Sequence, residues 1–488
     1  MEDIRYPVYI NPLPLPSLPR GTDKGVAGMD GLPVRDYRSV SDPSVMLWDG
    51  KWYMYPSYGM TYVSEDFVSW RYEPCNIPCE PGYSPTVVRT AGKFWMTRHS
   101  DGLYSSETPT GPFEYVGDFM LPGGGRLRPV DPALFRDDDG RIYMYYFGCE
   151  GNPQNGGSSF TLGVRLDEND PQRVLTEPVI LNRFDPSHVW ERFGADCQDS
   201  RWGWIEGQWM LKHGGRYYLI YAANGTQFPG YSMGAYYSDE GPLSGFVYQK
   251  RNPIIGSRQG LIRGGGHGCV AHAPDGSLWA FYTIPVAYNH EFERRIGMDR
   301  MEIDENGEIW CPGMTGTPQY GPCQPEKGDA GLVPLTFFQR FSCRASSQTD
   351  GHEAFYALDD SMLTHWLPEE GDPRPELVVD AEAVYDIAAC RIIWRDVGLD
   401  YAGGALPGPF RYDVSVSLDM KEWKVVLDMS GSADDLNVDC RAFPAAAGRY
   451  IRLRVYGSPQ GVRPGVVSFT AFGRRETEEE EKARLSGG

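Results

Sequence analysis

Between residues 42 and 310 one hydrophobic pattern returns five times. A short apolar run enters a polar turn containing glycine, and a second run rich in aromatic residues leaves it. The copies read VMLWDGKWYMYPSY from Val45, VVRTAGKFWMTRHS from Val87, LFRDDDGRIYMYYFG from Leu134, WMLKHGGRYYLIYAA from Trp209 and CVAHAPDGSLWAFYT from Cys269. Glycine beside an acidic or small residue is hairpin-turn chemistry. The flanks alternate in the manner of strands, with β-branched and aromatic residues. Most copies are followed by another strand-like piece and a second turn, as in YVSEDFVSW, MGAYYSDEGPLSGFVY and IGMDRMEIDENGEIW. Three to four strands per unit, recurring about every 40 to 60 residues, predict the blades of a β-propeller. Five units predict five blades around a central channel.

After Trp310 the pattern changes. Residues 316–336 read as a linker. From 337 to 474 strands such as YDVSVS and YIRLRVY alternate cleanly, which predicts a β-sandwich. The expected organisation is all-β: a propeller unit over 1–315 that includes an extended arm at 1–30, the linker, the sandwich, and a charged tail at 475–488. A length of 488 residues suits two or three domains. The 58 glycines and 39 prolines fit many turns and short strands.

No apolar run of about 18 residues exists, so no membrane-spanning helix is expected. The N-terminus carries early acidic residues and no apolar core of a leader, which points to a cytoplasmic protein, or a secreted one whose leader has been removed. The net charge of −20 disfavours nucleic acid as a partner, because phosphate binding needs basic patches. A neutral carbohydrate is compatible with it. The ten cysteines are scattered, and Cys75 and Cys79 form a lone C-x3-C pair with no second pair at zinc spacing.

The chemistry is expected just before the hairpins. Blade one opens on Asp42-Pro43, blade three on Asp131-Pro132, and blade four on Glu206 in WIEGQW. Innermost strands line a propeller's axis, so acids at equivalent strand starts converge in one pocket. Proline after aspartate suits a strand start, where a ladder N–H can be spared. The acidic run Asp137-Asp138-Asp139 instead occupies the slot filled by WDG, TAG, KHGG and APDG elsewhere, and reads as a solvated, replaceable turn. Asp185-Pro186 reads as a loop. Apolar neighbours Trp202, Trp204, Ile205 and Trp209, with Asp131 nearby, would raise the pKa of Glu206. Tyr83 and Trp204 are candidate sugar contacts. His267 sits in a run of glycines, Gly264 to Gly268, that lets backbone approach a ligand closely. It is no phosphate loop, since no G-K-[ST] follows.

The SDPSV and VDPALF openings, the WIEGQW acid and GGGHG before the fifth hairpin resemble glycoside hydrolase family 43. The resemblance covers roughly residues 30 to 315. It implies a five-bladed propeller that hydrolyses arabinosyl, xylosyl and related glycosides with inversion. It makes Asp42 the general base, Asp131 an orienting and pKa-tuning acid, and Glu206 the general acid. It also implies that Arg295, with Arg294 as the alternative, binds substrate, and that His267 points into the axial channel beside a calcium or sodium ion. No cofactor is required for the chemistry.

The segments FSCRASSQTDGHEAFYALDDSMLTHWLP and GRYIRLRVYG resemble a discoidin-type (coagulation factor type C) module, a jelly roll shared with carbohydrate-binding family 32. Such a module either binds sugar or packs against its neighbour. The expected activity is exo-acting release of α-L-arabinofuranosyl groups, with β-D-xylosyl and β-D-galactofuranosyl groups as alternatives. Retaining fructan-active propellers show N-D-P-N, R-D-P and E-C motifs, where this chain has SDPS, VDP and WIEG. A non-catalytic sugar-binding propeller would need no set of three acids.

Overall fold

The computed structural model describes residues 8–17, 37–75, 77, 82–151, 157–286, 292–324, 328–337, 342–399, 408–477 and 482. They fall into two compact units, one spanning 37–314 and the other joining 8–17 to the chain from 315 onward. Among these residues no helix is long and apolar enough to cross a membrane.

The first unit is the five-bladed propeller. Each blade is a four-stranded antiparallel meander in sequence order, spanning 44–74, 86–117, 130–183, 205–248 and 266–310. Its core lies between blades. Val88, Trp95 and Leu103 of blade two pack on Leu134, Ile142 and Met144 of blade three, and Ala133 and Tyr145 of blade three pack on Met210 and Leu219 of blade four. Burying each such side chain contributes roughly 1.5–3 kcal/mol. The ring closes where the entry to blade one meets the third strand of blade five: Val40 N–H donates to the Arg294 carbonyl, and Arg294 N–H donates to Ser39 Oγ.

The innermost strands, Ser44–Trp48, Thr86–Thr90, Val130–Arg136, Ile205–His213 and Gly266–His272, share one local device. Two residues before the first regular pair, the backbone enters the left-handed region: Asp42 (φ 52°), Ser84 (48°), Asp131 (47°), Gly207 (59°) and His267 (20°). In blades three, four and five the ladder shifts register across this point. The bulge re-aims side chains at the mouth of the axis, and such kinks recur beside active sites. Glu206 therefore precedes the position held by Asp42 and Asp131, which corrects the expectation that the three acids are equivalent.

The hairpin tip of blade three is also not what its slot suggested. Asp138 and Asp139 are exposed, but Asp137 is buried. Its carboxylate takes Lys212 Nζ at 2.6 Å and Tyr217 Oη at 2.7 Å, both from blade four. Asp137 is thus an inter-blade clamp. Residues 123–125 close a short hairpin in which Leu121 and Gly125 pair through the backbone. Cys75 is a buried free thiol, and Cys79 lies outside the described residues.

The second unit is the sandwich, built on three long strands, Glu376–Val397, Val438–Gly457 and Arg463–Arg475. Bulges let the first of these pair with both others along its length. Trp366, Trp394, Phe410 and Tyr412 centre its core. Residues 8–17 belong here and not to the propeller, a correction to the expected arm. Val8–Tyr9 pairs with Gln319–Tyr320 inside the stretch expected to be a linker, and Ile10 is buried against Leu332, Ala388 and Phe472.

Candidate active site

A cavity of about 450 Å³ opens where the inner strands begin. Asp42, Asp131, Glu206, Tyr83, Trp204 and His267, all expected from the sequence, line it together. Arg295 does not. It is buried, and its guanidinium donates to the carbonyls of Arg38 and Arg294. Successive strand residues face opposite sides, so the neighbour, Arg294, points into the cavity instead.

Arg294 fixes Asp42. Its Nη1 lies 3.0 Å from Asp42 Oδ1 and its Nη2 3.0 Å from Oδ2. Nη1 also donates to Thr226 Oγ1. Charge on Asp42 and the tyrosines Tyr58 and Tyr231 outweighs the burial that would otherwise lower the Arg294 pKa, and holds it above its ordinary value. Ser41 and Ser57 hydroxyls donate to Asp42 Oδ2 at 3.0 and 2.6 Å. Thr283 Oγ1 accepts the Asp42 N–H and donates to the His267 carbonyl, locking two neighbouring inner strands together.

Asp131 and Glu206 share the cavity but titrate in opposite directions. Burial disfavours ionisation of Asp131. The hydrogen bond from His99 Nδ1 at 2.8 Å, the nearby His267 and the Ser84 hydroxyl at 3.0 Å overcome it and hold the Asp131 pKa down. Glu206 accepts hydrogen bonds from Tyr231 Oη at 2.6 Å and from Trp204 Nε1. Both favour its anion. Burial, reinforced by the charge of Asp131, outweighs them and pushes the Glu206 pKa up. Trp204 is itself fixed by stacking on Phe147, ring centroids 5.1 Å apart.

His267 lies between the acids, with Nδ1 3.6 Å from Asp42 Oδ1. Its ring rests on Gly207, where a Cβ would come within 2.7 Å of His267 Cγ. Only glycine fits that left-handed, close-packed position. Asp131, Glu206 and His267 each bring one donor atom within 4.8 Å of the others. The set does not fit a directly bound hard cation, which takes six to eight oxygen ligands. Both Glu206 oxygens and one Asp131 oxygen already accept from protein donors.

Sequence reasoning missed His99, Ser84, Ser57, Thr226 and Tyr231. The repeat held a signal for three of them. YSPTV aligns with SDPSV and VDPAL, which places Ser84 at the slot of Asp42 and Asp131. TRHS aligns with YPSY, which places His99 at the slot of Ser57.

Residues 33–309 match the profile of glycosyl hydrolases family 43. The chain belongs to that family. It is a glycosidase, and its substrates are carbohydrates. Residues 342–464 match the F5/8 type C domain. Among curated relatives it is similar to a xylosidase/arabinosidase 43A of Humicola insolens, 25% identical over 331 residues that cover 56% of this chain and 93% of the relative. It is also similar to a β-D-galactofuranosidase of Aspergillus niger, 25% identical, covering 55% of this chain and 81% of that protein. A crystal structure of a thermostable family-43 glycoside hydrolase matches with a TM-score of 0.52 and 25% identity, covering 65% of this chain and 99% of that one.

Proposed function

We propose that this family 43 enzyme is an exo-acting, inverting glycosidase that releases terminal α-L-arabinofuranosyl groups from oligosaccharides or plant polysaccharides. One observation carries the reading. Two carboxyl groups in a single cavity have their pKa values pushed apart, Glu206 up and Asp131 down. Such a split assigns the acid. Glu206 gives its proton to the glycosidic oxygen as the C1–O bond breaks. A water on the opposite face attacks C1 and passes a proton to Asp42, which Arg294, Ser41 and Ser57 hold in place. Inversion needs room for that water between acid and base. Asp131 stays charged, orients the sugar and keeps Glu206 protonated. At about 450 Å³ the cavity lies near the small end of ligand pockets, which suits a chain end.

The name of the Humicola relative, a xylosidase/arabinosidase, supports an arabinosyl or xylosyl substrate, and that of the Aspergillus relative supports β-D-galactofuranosyl groups as the second reading. A panel of 4-nitrophenyl glycosides tests the choice: α-L-arabinofuranoside should give the highest kcat/KM, and a lead for β-D-galactofuranoside would install the second reading. Proton NMR should show the inverted anomer first, and a retained anomer would refute inversion. No turnover of any glycoside would leave a sugar-binding propeller. An axial calcium or sodium ion bridged to His267 by water is the remaining form of the cation proposal. A fall in melting temperature on chelation or sodium exchange supports it, and an unchanged one removes it.

A further inference from the structure

His99 stands out as a polar residue of the cavity with no role in the scheme above. It leaves the second strand of blade two, its backbone N–H donates to the Tyr83 carbonyl, and its ring meets the Tyr83 ring edge-on at 6.2 Å. These contacts fix the imidazole at the cavity wall. Nδ1 is committed to Asp131 Oδ1 at 2.8 Å. Among the described residues, Nε2 has no hydrogen-bond partner, and the side chain keeps 37% of its surface exposed in the cavity.

A ring held at one nitrogen and open at the other is a two-ended connector. We propose that His99 is a substrate-binding and positioning residue: Nε2 meets a hydroxyl of the bound sugar while Nδ1 holds Asp131 in its orienting pose. With Nδ1–H donating to Asp131, a neutral ring accepts the sugar O–H at Nε2, and an imidazolium donates to the hydroxyl oxygen. Either state joins the sugar to Asp131 through one rigid ring. Ser57, at the equivalent place in blade one, donates to Asp42. Blade one thus braces its carboxylate with a short hydroxyl, and blade two braces the carboxylate of blade three with a ring long enough to reach the ligand as well. The charged and titratable groups around His99 are Asp131, Glu206 and Asp42.

The inference rests on Asp131 orienting substrate, so Asp131→Ala is measured alongside. Two amides divide the functions of the ring. In His99→Asn the amide nitrogen overlays Nδ1, and in His99→Gln it overlays Nε2. On 4-nitrophenyl α-L-arabinofuranoside, His99→Asn should keep kcat within about threefold and raise KM about tenfold. His99→Gln should lower kcat about tenfold and leave KM within about threefold. His99→Ala should show both losses, with a circular dichroism spectrum like that of the parent. If His99→Ala keeps kcat and KM within twofold while Asp131→Ala is inactive, His99 has neither role and the catalytic scheme stands. If Asp131→Ala is fully active, the scheme itself falls. Equal losses in the Asn and Gln variants would overturn the division of labour between the two nitrogens.

Discussion

At the scale of single residues, the acid is held protonated against stability. A carboxyl group whose folded pKa is raised binds more protons folded than unfolded once pH exceeds its ordinary range. Stability then falls as pH climbs from the unfolded toward the folded pKa, and the loss persists above. Glu206 is such a group. Glu206→Gln keeps the shape and removes the charge, and the Tyr231 hydroxyl can turn to accept from the new amide. The variant should lose about 10²–10⁴-fold in kcat. It should also melt higher than the parent at pH 7 to 8, and no higher below pH 4. Thermal unfolding across pH checks the sign: a lower melting temperature at pH 7 would mean that Glu206 is not strained by burial. Asp42, Asp131 and Glu206 were legible because the repeat exposed acids where other blades place none. Arg294 against Arg295 was not, because a sequence shows two adjacent arginines and only strand alternation decides which one enters the cavity.

At the scale of elements, the hairpins were legible from their turns, but the turn slot concealed a contact. Asp137, Asp138 and Asp139 look alike along the chain, and any of them suits the turn. Only Asp137 is buried against blade four, where Lys212 and Tyr217 meet it; exposed Asp138 also reaches Lys212, at 3.0 Å. The partners lie 75 and 80 residues away, beyond any local pattern. Asp137→Ala should therefore destabilise the propeller by about 1–3 kcal/mol, the cost of leaving the Tyr217 hydroxyl without this acceptor and the mostly covered Lys212 ammonium with exposed Asp138 in its place. Asp139→Ala, on the exposed flank, should stay within about 0.5 kcal/mol. Urea titration of both variants measures the difference. Equal midpoints would return Asp137 to the status of a turn residue. The left-handed residue at each inner strand was also hidden, because Asp, Ser, Gly and His share no side-chain signature. What they share is a backbone position, visible only once the ladders are laid side by side.

At the scale of the whole molecule, both units were legible from composition and alternation, yet the N-terminal segment was assigned to the wrong one. Sequence adjacency favoured the propeller. The physical reason for its actual place is a buried cation. Arg391 of the sandwich lies in the interior: Nη1 donates to the carbonyls of Asn11 at 2.8 Å and Gly316 at 3.0 Å, and Nη2 donates to Thr470 Oγ1. Burial lowers its pKa. Ser17 Oγ adds a bond to Asn437, and the Cys440 thiol one to the Ile10 carbonyl. Deleting residues 1–17 removes the Asn11 carbonyl and the buried Ile10, each worth on the order of 1–3 kcal/mol. Calorimetry should show the loss in the unfolding of the sandwich. Hydrolysis of small aryl glycosides should not change, because every residue lining the cavity comes from 37–314. Arg391→Met supplies the sharper control. In the full chain it strands the Asn11 carbonyl and should destabilise. In the truncated chain it removes a cation that has lost one of its acceptors and should restore part of the loss. Additive effects of deletion and substitution would show that the guanidinium does not hold the segment.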